Sequence, residues 1–232
     1  MCSPKNPLVA AVVVALLPVG NLAPAQQVSW RSKPTATWTE DEAFQVLRSS
    51  PWVKTVKPTL LHEQSEFERR DGGNMGKATG VGYDGLGDPQ SEFAKRRVGD
   101  APTLLLRWET ALPVRVARLK AHTVEPPTLN PDAYSLAVYG VPGRYFKGDP
   151  LKLGKPLRGT ALLRRTGKKD VQPSRVEVFP GDDGPIIVYE FPRTLEITKD
   201  DKALYFSAVI GRLSFTATFD TEAMHFEGNL EF

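Results

Sequence analysis

Between residues 213 and 219, apolar and polar side chains alternate without a break. Leu213, Phe215, Ala217 and Phe219 fall on one side, and Ser214, Thr216 and Thr218 on the other. A period of two sends one set to the buried face of a strand and the other to water. Residues 203–210 read as a second strand. Gly211-Arg212 between the two runs matches a two-residue Gly-X hairpin turn. The alternation resumes with Met224, Phe226, Gly228, Leu230 and Phe232 against His225, Glu227, Asn229 and Glu231. Burying five or six such side chains contributes about 1.5–3 kcal/mol each before the entropy of ordering. The C-terminal part is therefore read as antiparallel sheet with one wet face.

Upstream segments extend the sheet. Residues 103–108, 134–141 and 175–179 read as strands, and PGDDGP after them as a turn. Residues 186–191 are nearly all apolar, which predicts a strand buried on both faces. Residues 111–121 predict a short helix with Pro113 in its first turn. Together with its neighbours this suggests a strand–helix–strand unit, although the connection is short for a parallel crossover. KGDPLKLGKP breaks the pattern, and residues 157–165 fit strand or helix equally.

Nearer the start, Thr39 and Glu42 carry the spacing of a capping box. Glu40, Asp41 and Glu42 fill the first turn, where the helix dipole favours negative charge. Ala43, Phe44 and Leu47 share a face, and Ser49-Ser50-Pro51 ends the helix. Trp38 and Trp52 flank it as core anchors. Residues 53–61 read as one extended strand, placed at a sheet edge by Pro58. Residues 66–100, with seven glycines from Gly72 to Gly87, read as a long flexible loop.

The first 25 residues have the layout of a secretory signal peptide. Lys5 precedes an apolar run over residues 8–19, and Ala23-Pro24-Ala25 supplies small residues for cleavage. That run is short for a bilayer span, which takes about 20 residues. The single cysteine, Cys2, lies inside this segment. The exported chain is therefore expected to have no disulfide, no thiolate metal site and no cysteine nucleophile. A formal net charge of +3, spread over scattered basic pairs, lacks the basic stripe of a nucleic-acid binder.

TWTEDEAFQVLRSSPW, the glycine-rich stretch and LRWETALPVRVARLK resemble a group of uncharacterised secreted proteins of acidobacterial genomes. IIVYEFPRTLEITKDDK and GRLSFTATFDTEAMHFEG extend the resemblance over most of the exported chain. That group has no established activity, so the resemblance implies no catalytic residue. It does imply that the glycine stretch is an insertion of variable composition.

Motif chemistry is sparse. Gly80, Gly82 and Gly85 fit G-x-G-x-x-G, but no strand pattern precedes them and Gly87 and Pro89 oppose a following helix. Without a helix N-terminus there is no dipole to face a phosphate. His62 opens HEQSE, where a zinc-protease helix needs a second histidine in the fifth place and Glu66 stands instead. His122 and His225 read as exposed histidines. Asp84, Asp88, Asp182, Asp183, Asp200 and Asp201 read as turn residues. No catalytic residue, cofactor or metal is assigned.

The expectation is an α+β protein, mainly antiparallel and sandwich-like, with one or two short helices. It divides into a signal peptide (1–25), a flexible arm (26–37), a helix and edge strand docking on the main domain (38–65), the glycine-rich loop (66–100) and a β-rich main domain (101–232). The expected place is the periplasm or the exterior, with no membrane span after cleavage. The leading function is a non-enzymatic interaction module. Arg69, Arg70, Lys95, Arg96 and Arg97, which flank the glycine loop, are its candidate contacts to another envelope protein or an anionic envelope surface. A hydrolase built on carboxylates brought together by the fold stays open. So does a small outer-membrane barrel, suggested by alternation ending on Phe232.

Overall fold

The computed structural model describes residues 29–61, 101–122, 130–146 and 148–232. The signal segment, the glycine motif, His62 and the five basic candidates at 69, 70 and 95–97 lie outside these residues.

Among the described residues, eleven antiparallel strands make three sheets. The larger sheet has the order β1 (Val53–Val56), β3 (Leu104–Trp108), β4 (Ala133–Tyr139), β7 (Ile186–Pro192) and β6 (Arg175–Phe179). The second has the order β2 (Thr59–Leu60), β9 (Leu213–Asp220), β8 (Ala203–Ile210) and β5 (Ala161–Arg165). β10 (His225–Phe226) and β11 (Asn229–Leu230) form a two-residue ribbon. Aromatic rings join the two main sheets. Tyr189 of β7 meets Phe206 of β8 at 5.0 Å between centroids, and Trp108 of β3 meets Phe219 of β9 at 5.7 Å. Such edge-to-face pairs add about 0.5–1.5 kcal/mol beyond their area. The result is an α+β, sandwich-like fold.

Three short α-helices among the described residues complete it: α1 (Glu40–Ser49), α2 (Leu112–Lys120) and α3 (Gly154–Gly159). α1 begins at the expected capping box. Thr39 Oγ1 accepts from the Glu42 N–H, and Glu42 Oε2 accepts from the Thr39 N–H. Its Ala43, Val46 and Leu47 are buried against α2, whose Val114 and Ala117 belong to the same core. The strand–helix–strand unit is antiparallel: β3 pairs directly with β4, and α2 rides in the connection. A parallel crossover would have needed a longer link.

Three expectations are corrected and one open segment is resolved. The strand over 53–61 is two strands in different sheets, because Pro58 interrupts pairing and lets the chain switch sheets. Both pieces are edge strands. Residues 157–165 are helix first and strand second, with Thr160 capping α3 immediately before β5. The final alternating run is not one strand. Glu227 and Gly228 turn with positive φ between β10 and β11, although Met224, Phe226 and Phe232 are buried as their period requires. Residues 29–37 of the expected flexible arm are docked, because Trp30 is 1% exposed and Trp38 Nε1 donates to its carbonyl at 3.0 Å. Trp30, Trp38, Trp52 and Phe226 share one aromatic cluster, which ties both ends of the described chain together. Phe232 packs edge-to-face on Trp108 and Tyr134, inside the protein.

Candidate functional site

Three places concentrate chemistry. The first is a buried charge network between the larger sheet and α2. Glu109, at the end of β3, has no exposed surface. Its Oε1 accepts from Arg107 Nε at 2.7 Å and from the Tyr139 hydroxyl at 2.6 Å. Its Oε2 accepts from Arg118 Nη1 at 2.9 Å. The Arg107 guanidinium also lies over the Tyr139 ring, 4.7 Å from its centroid. Burial pushes the Tyr139 phenol well above its ordinary value, and the Glu109 charge pushes it further. Burial disfavours the Arg107 charge, but Glu109 and Tyr139 outweigh it and hold the guanidinium above its usual value. A carboxylate so enclosed has no access to a substrate. It pins β3, β4 and α2 to one another.

The second place is an open cleft of about 590 Å³ lined by Lys199, Asp200, Lys202, Asp220, Glu222 and His225. One of its carboxylates, that of Asp220, serves a local turn, and Glu222 joins through its backbone. Asp220 Oδ1 accepts from the Glu222 N–H, and the His225 ring meets the Glu222 carbonyl at 3.1 Å. Two lysines neutralise much of the charge. Among the described residues, no three His, Cys, Asp or Glu side chains gather as metal ligands would.

The third place is a groove of about 630 Å³ beside the tip of the β8–β9 hairpin. This volume lies within the range of small-molecule sites, about 300–1,000 Å³. Phe146 and Leu157 are buried beneath it, and Tyr145, Leu153 and Val209 are half-buried along it. Arg144, Arg212, Leu61, Pro156 and Thr160 complete the lining, so no carboxylate faces it among the described residues. Local sequence places these groups. Pro142 leads into a single 3-10 turn, Gly143–Tyr145, which sets Arg144 and Tyr145 at one wall. α3 supplies Leu157, and Gly154 lets this helix approach β6 closely, since a Cβ there would meet the Val176 carbonyl oxygen at 2.5 Å. Gly211 has φ +57°, and a Cβ there would overlap the Tyr145 carbonyl oxygen. The hairpin tip and the Tyr145 turn are therefore in backbone contact. Arg212 Nε donates to the Leu61 carbonyl at 3.1 Å, and the Leu61 N–H donates to the Arg212 carbonyl at 2.8 Å. Thr160 Oγ1 is engaged by the Val209 and Leu157 carbonyls, at 2.8 and 3.1 Å.

None of the groove residues was among the sequence candidates. The Gly-X turn was legible, but its contact with Tyr145 is long-range. The signal available in GRYF and PLKLGKP was only a break in strand periodicity. His122 is exposed just after α2, as expected, and His225 is half-buried in the charged cleft. Asp182, Asp183 and Asp200 are exposed turn residues. Asp201 differs: it is buried, caps the turn at Thr198 and meets Lys168 Nζ at 2.7 Å.

No protein-family model, no curated protein and no solved structure matches this chain significantly.

Proposed function

We propose that this chain is an exported, non-enzymatic binding module whose ligand seat is the groove beside the β8–β9 hairpin. The observation that carries the reading is the groove's composition. Its floor is apolar, its charged lining groups among the described residues are Arg144 and Arg212, and its threonine hydroxyl is occupied by backbone carbonyls. Such a surface removes an apolar body from water, but among the described residues it offers neither an acid–base pair nor a free hydroxyl nucleophile. Export rests on the signal-like first 25 residues. The core seats of Phe215, Phe219 and Phe232 account for the C-terminal alternation without a lipid-facing wall.

A neutral apolar dye tests the seat. Nile red should brighten and shift to the blue on adding the folded full chain. Leu153→Trp, which fills the groove, should remove most of that change while leaving the circular dichroism spectrum intact. Equal dye response in the two proteins would show that the groove is not the seat.

The carboxylate-hydrolase alternative attaches to Asp200, Asp220 and Glu222 in the charged cleft. It requires turnover of a chromogenic glycoside that Asp220→Asn and Glu222→Gln abolish. Absence of turnover across a glycoside panel retires it.

A further inference from the structure

We infer that the groove selects a single-chain fatty carboxylate, with the acyl chain along the apolar floor and the anionic head at Arg144 and Arg212. This rests on the reading of the groove as the ligand seat. The floor and the rim make different demands. Phe146, Leu153, Leu157 and Val209 form a continuous apolar surface on which any alkyl chain gains by leaving water. The rim adds a sign. Arg144 and Arg212 are its charged groups, and neither is paired with a carboxylate among the described residues. Arg144 lies along its neighbouring Tyr145 ring, 5.1 Å from the centroid, and Arg212 uses Nε on the Leu61 carbonyl. The first engages the flat face of the Arg144 guanidinium and the second only Nε of Arg212, so guanidinium N–H groups are left to spare.

The two arginines also start from one point. Gly211 and Tyr145 are in backbone contact, and Arg212 and Arg144 are their immediate chain neighbours. Two guanidiniums rooted at one contact suit a planar anionic head, which accepts charge-assisted, two-pronged hydrogen bonds. A phospholipid lying in a bilayer would keep its chains in the membrane and leave the apolar floor unused. A monomeric amphiphile uses floor and rim together, so the ligand is a free carboxylate rather than a membrane headgroup.

Calorimetric titration of the full chain with decanoate, decanol and decyltrimethylammonium, each as monomer, separates the two demands. Decanoate should bind about tenfold tighter than decanol, and the cation more weakly than both. Arg144→Gln/Arg212→Gln should bring decanoate down to the affinity of decanol and leave decanol unchanged. Arg212→Lys should keep part of the preference, which guards against loss of the Leu61 tether as the cause. Equal binding of decanoate and decanol by the native chain overturns the carboxylate assignment while the groove stands as a seat. A preference that persists in the double glutamine variant overturns it too, because the anion then sits elsewhere. Binding of none of the three, together with a dye response unaffected by Leu153→Trp, brings down the groove reading itself. In a separate arm, co-sedimentation with phosphatidylglycerol vesicles that decanoate does not reverse would assign the arginines to a membrane headgroup and overturn the proposal.

Discussion

Replacing Glu109 by Ala should be among the most damaging single changes in the chain. The side chain is wholly buried, and the side chains of Arg107 and Arg118 are 12% and 6% exposed. Removing the carboxylate takes away the acceptor that Arg107 Nε, Arg118 Nη1 and the Tyr139 hydroxyl share. Breaking a buried ion pair from one side costs about 3–5 kcal/mol, because the surviving charge stays desolvated. An exposed pair costs about 0–1 kcal/mol. A domain of this size is stable by about 5–15 kcal/mol, so the loss is a large share. At roughly 2–4 °C per kcal/mol, the melting temperature should fall by about 6–20 °C. Glu109→Gln keeps an acceptor and should fall between that value and the native one. Glu177→Ala is the matched control, since Glu177 is half-buried and pairs with exposed Arg175 on β6. Thermal melts followed by circular dichroism and urea titrations read all three. If Glu109→Ala shifts the midpoint no further than Glu177→Ala, the network does not hold β3, β4 and α2 together as argued. Exchanging Arg107, Glu109 and Arg118 together for apolar residues of similar volume should be milder than Glu109→Ala, because Glu109 and the two arginines it pairs leave together.

Thr39→Ala removes the hydroxyl that starts α1 and should cost about 1 kcal/mol, seen as a drop of a few degrees in the melting temperature. Tyr189 is fully buried, with a hydroxyl that meets no partner among the described residues and a phenol that burial pushes far up. Tyr189→Phe should therefore be neutral or stabilising in the same melts, and a loss above about 1 kcal/mol would reveal a hidden partner. Burial opposes ionisation of Asp201, but Lys168, the Thr198 N–H and the Arg165 charge prevail and hold its carboxyl below the ordinary range. A group with a lowered folded pKa stabilises above its unfolded pKa, and that contribution disappears as pH falls through the folded value. Asp201→Asn should thus lower stability at neutral pH and flatten its decline on the acid side. Parallel curves for the two proteins between neutral and acid pH would contradict this.

Local physics explains which elements were legible. The capping box at Thr39 and Glu42, the Gly211-Arg212 turn and the alternation of 213–219 each need only residues a few places apart, and each appears where expected. The apolar run at 186–191 lies between two strands of its sheet, with its apolar side chains inside apart from half-buried Ile186. The break at Pro58 was visible, but its consequence was not. Whether a proline ends a strand or moves the chain to another sheet depends on partners distant in sequence, here β3 and β9. The period of 224–232 pointed to Met224, Phe226 and Phe232 as buried but to the wrong element, because the turn at Glu227 and Gly228 keeps Phe232 in step with Met224 and Phe226. The docked Trp30 depends on Phe226, far along the chain. The groove was illegible for the same reason. Its parts come from residues 61, 144–160 and 209–212, and only the contact of Gly211 with the Tyr145 carbonyl brings the two arginines to one rim.

The central claim is that the groove beside the β8–β9 hairpin is where this protein binds. Methyl-resolved NMR of the folded full chain during a decanoate titration tests it most directly. Leu61, Leu153, Leu157 and Val209 should shift together and saturably, while the methyls of Leu119, exposed on α2, stay still. Shifts centred away from those four side chains, or none at saturating decanoate, would contradict it.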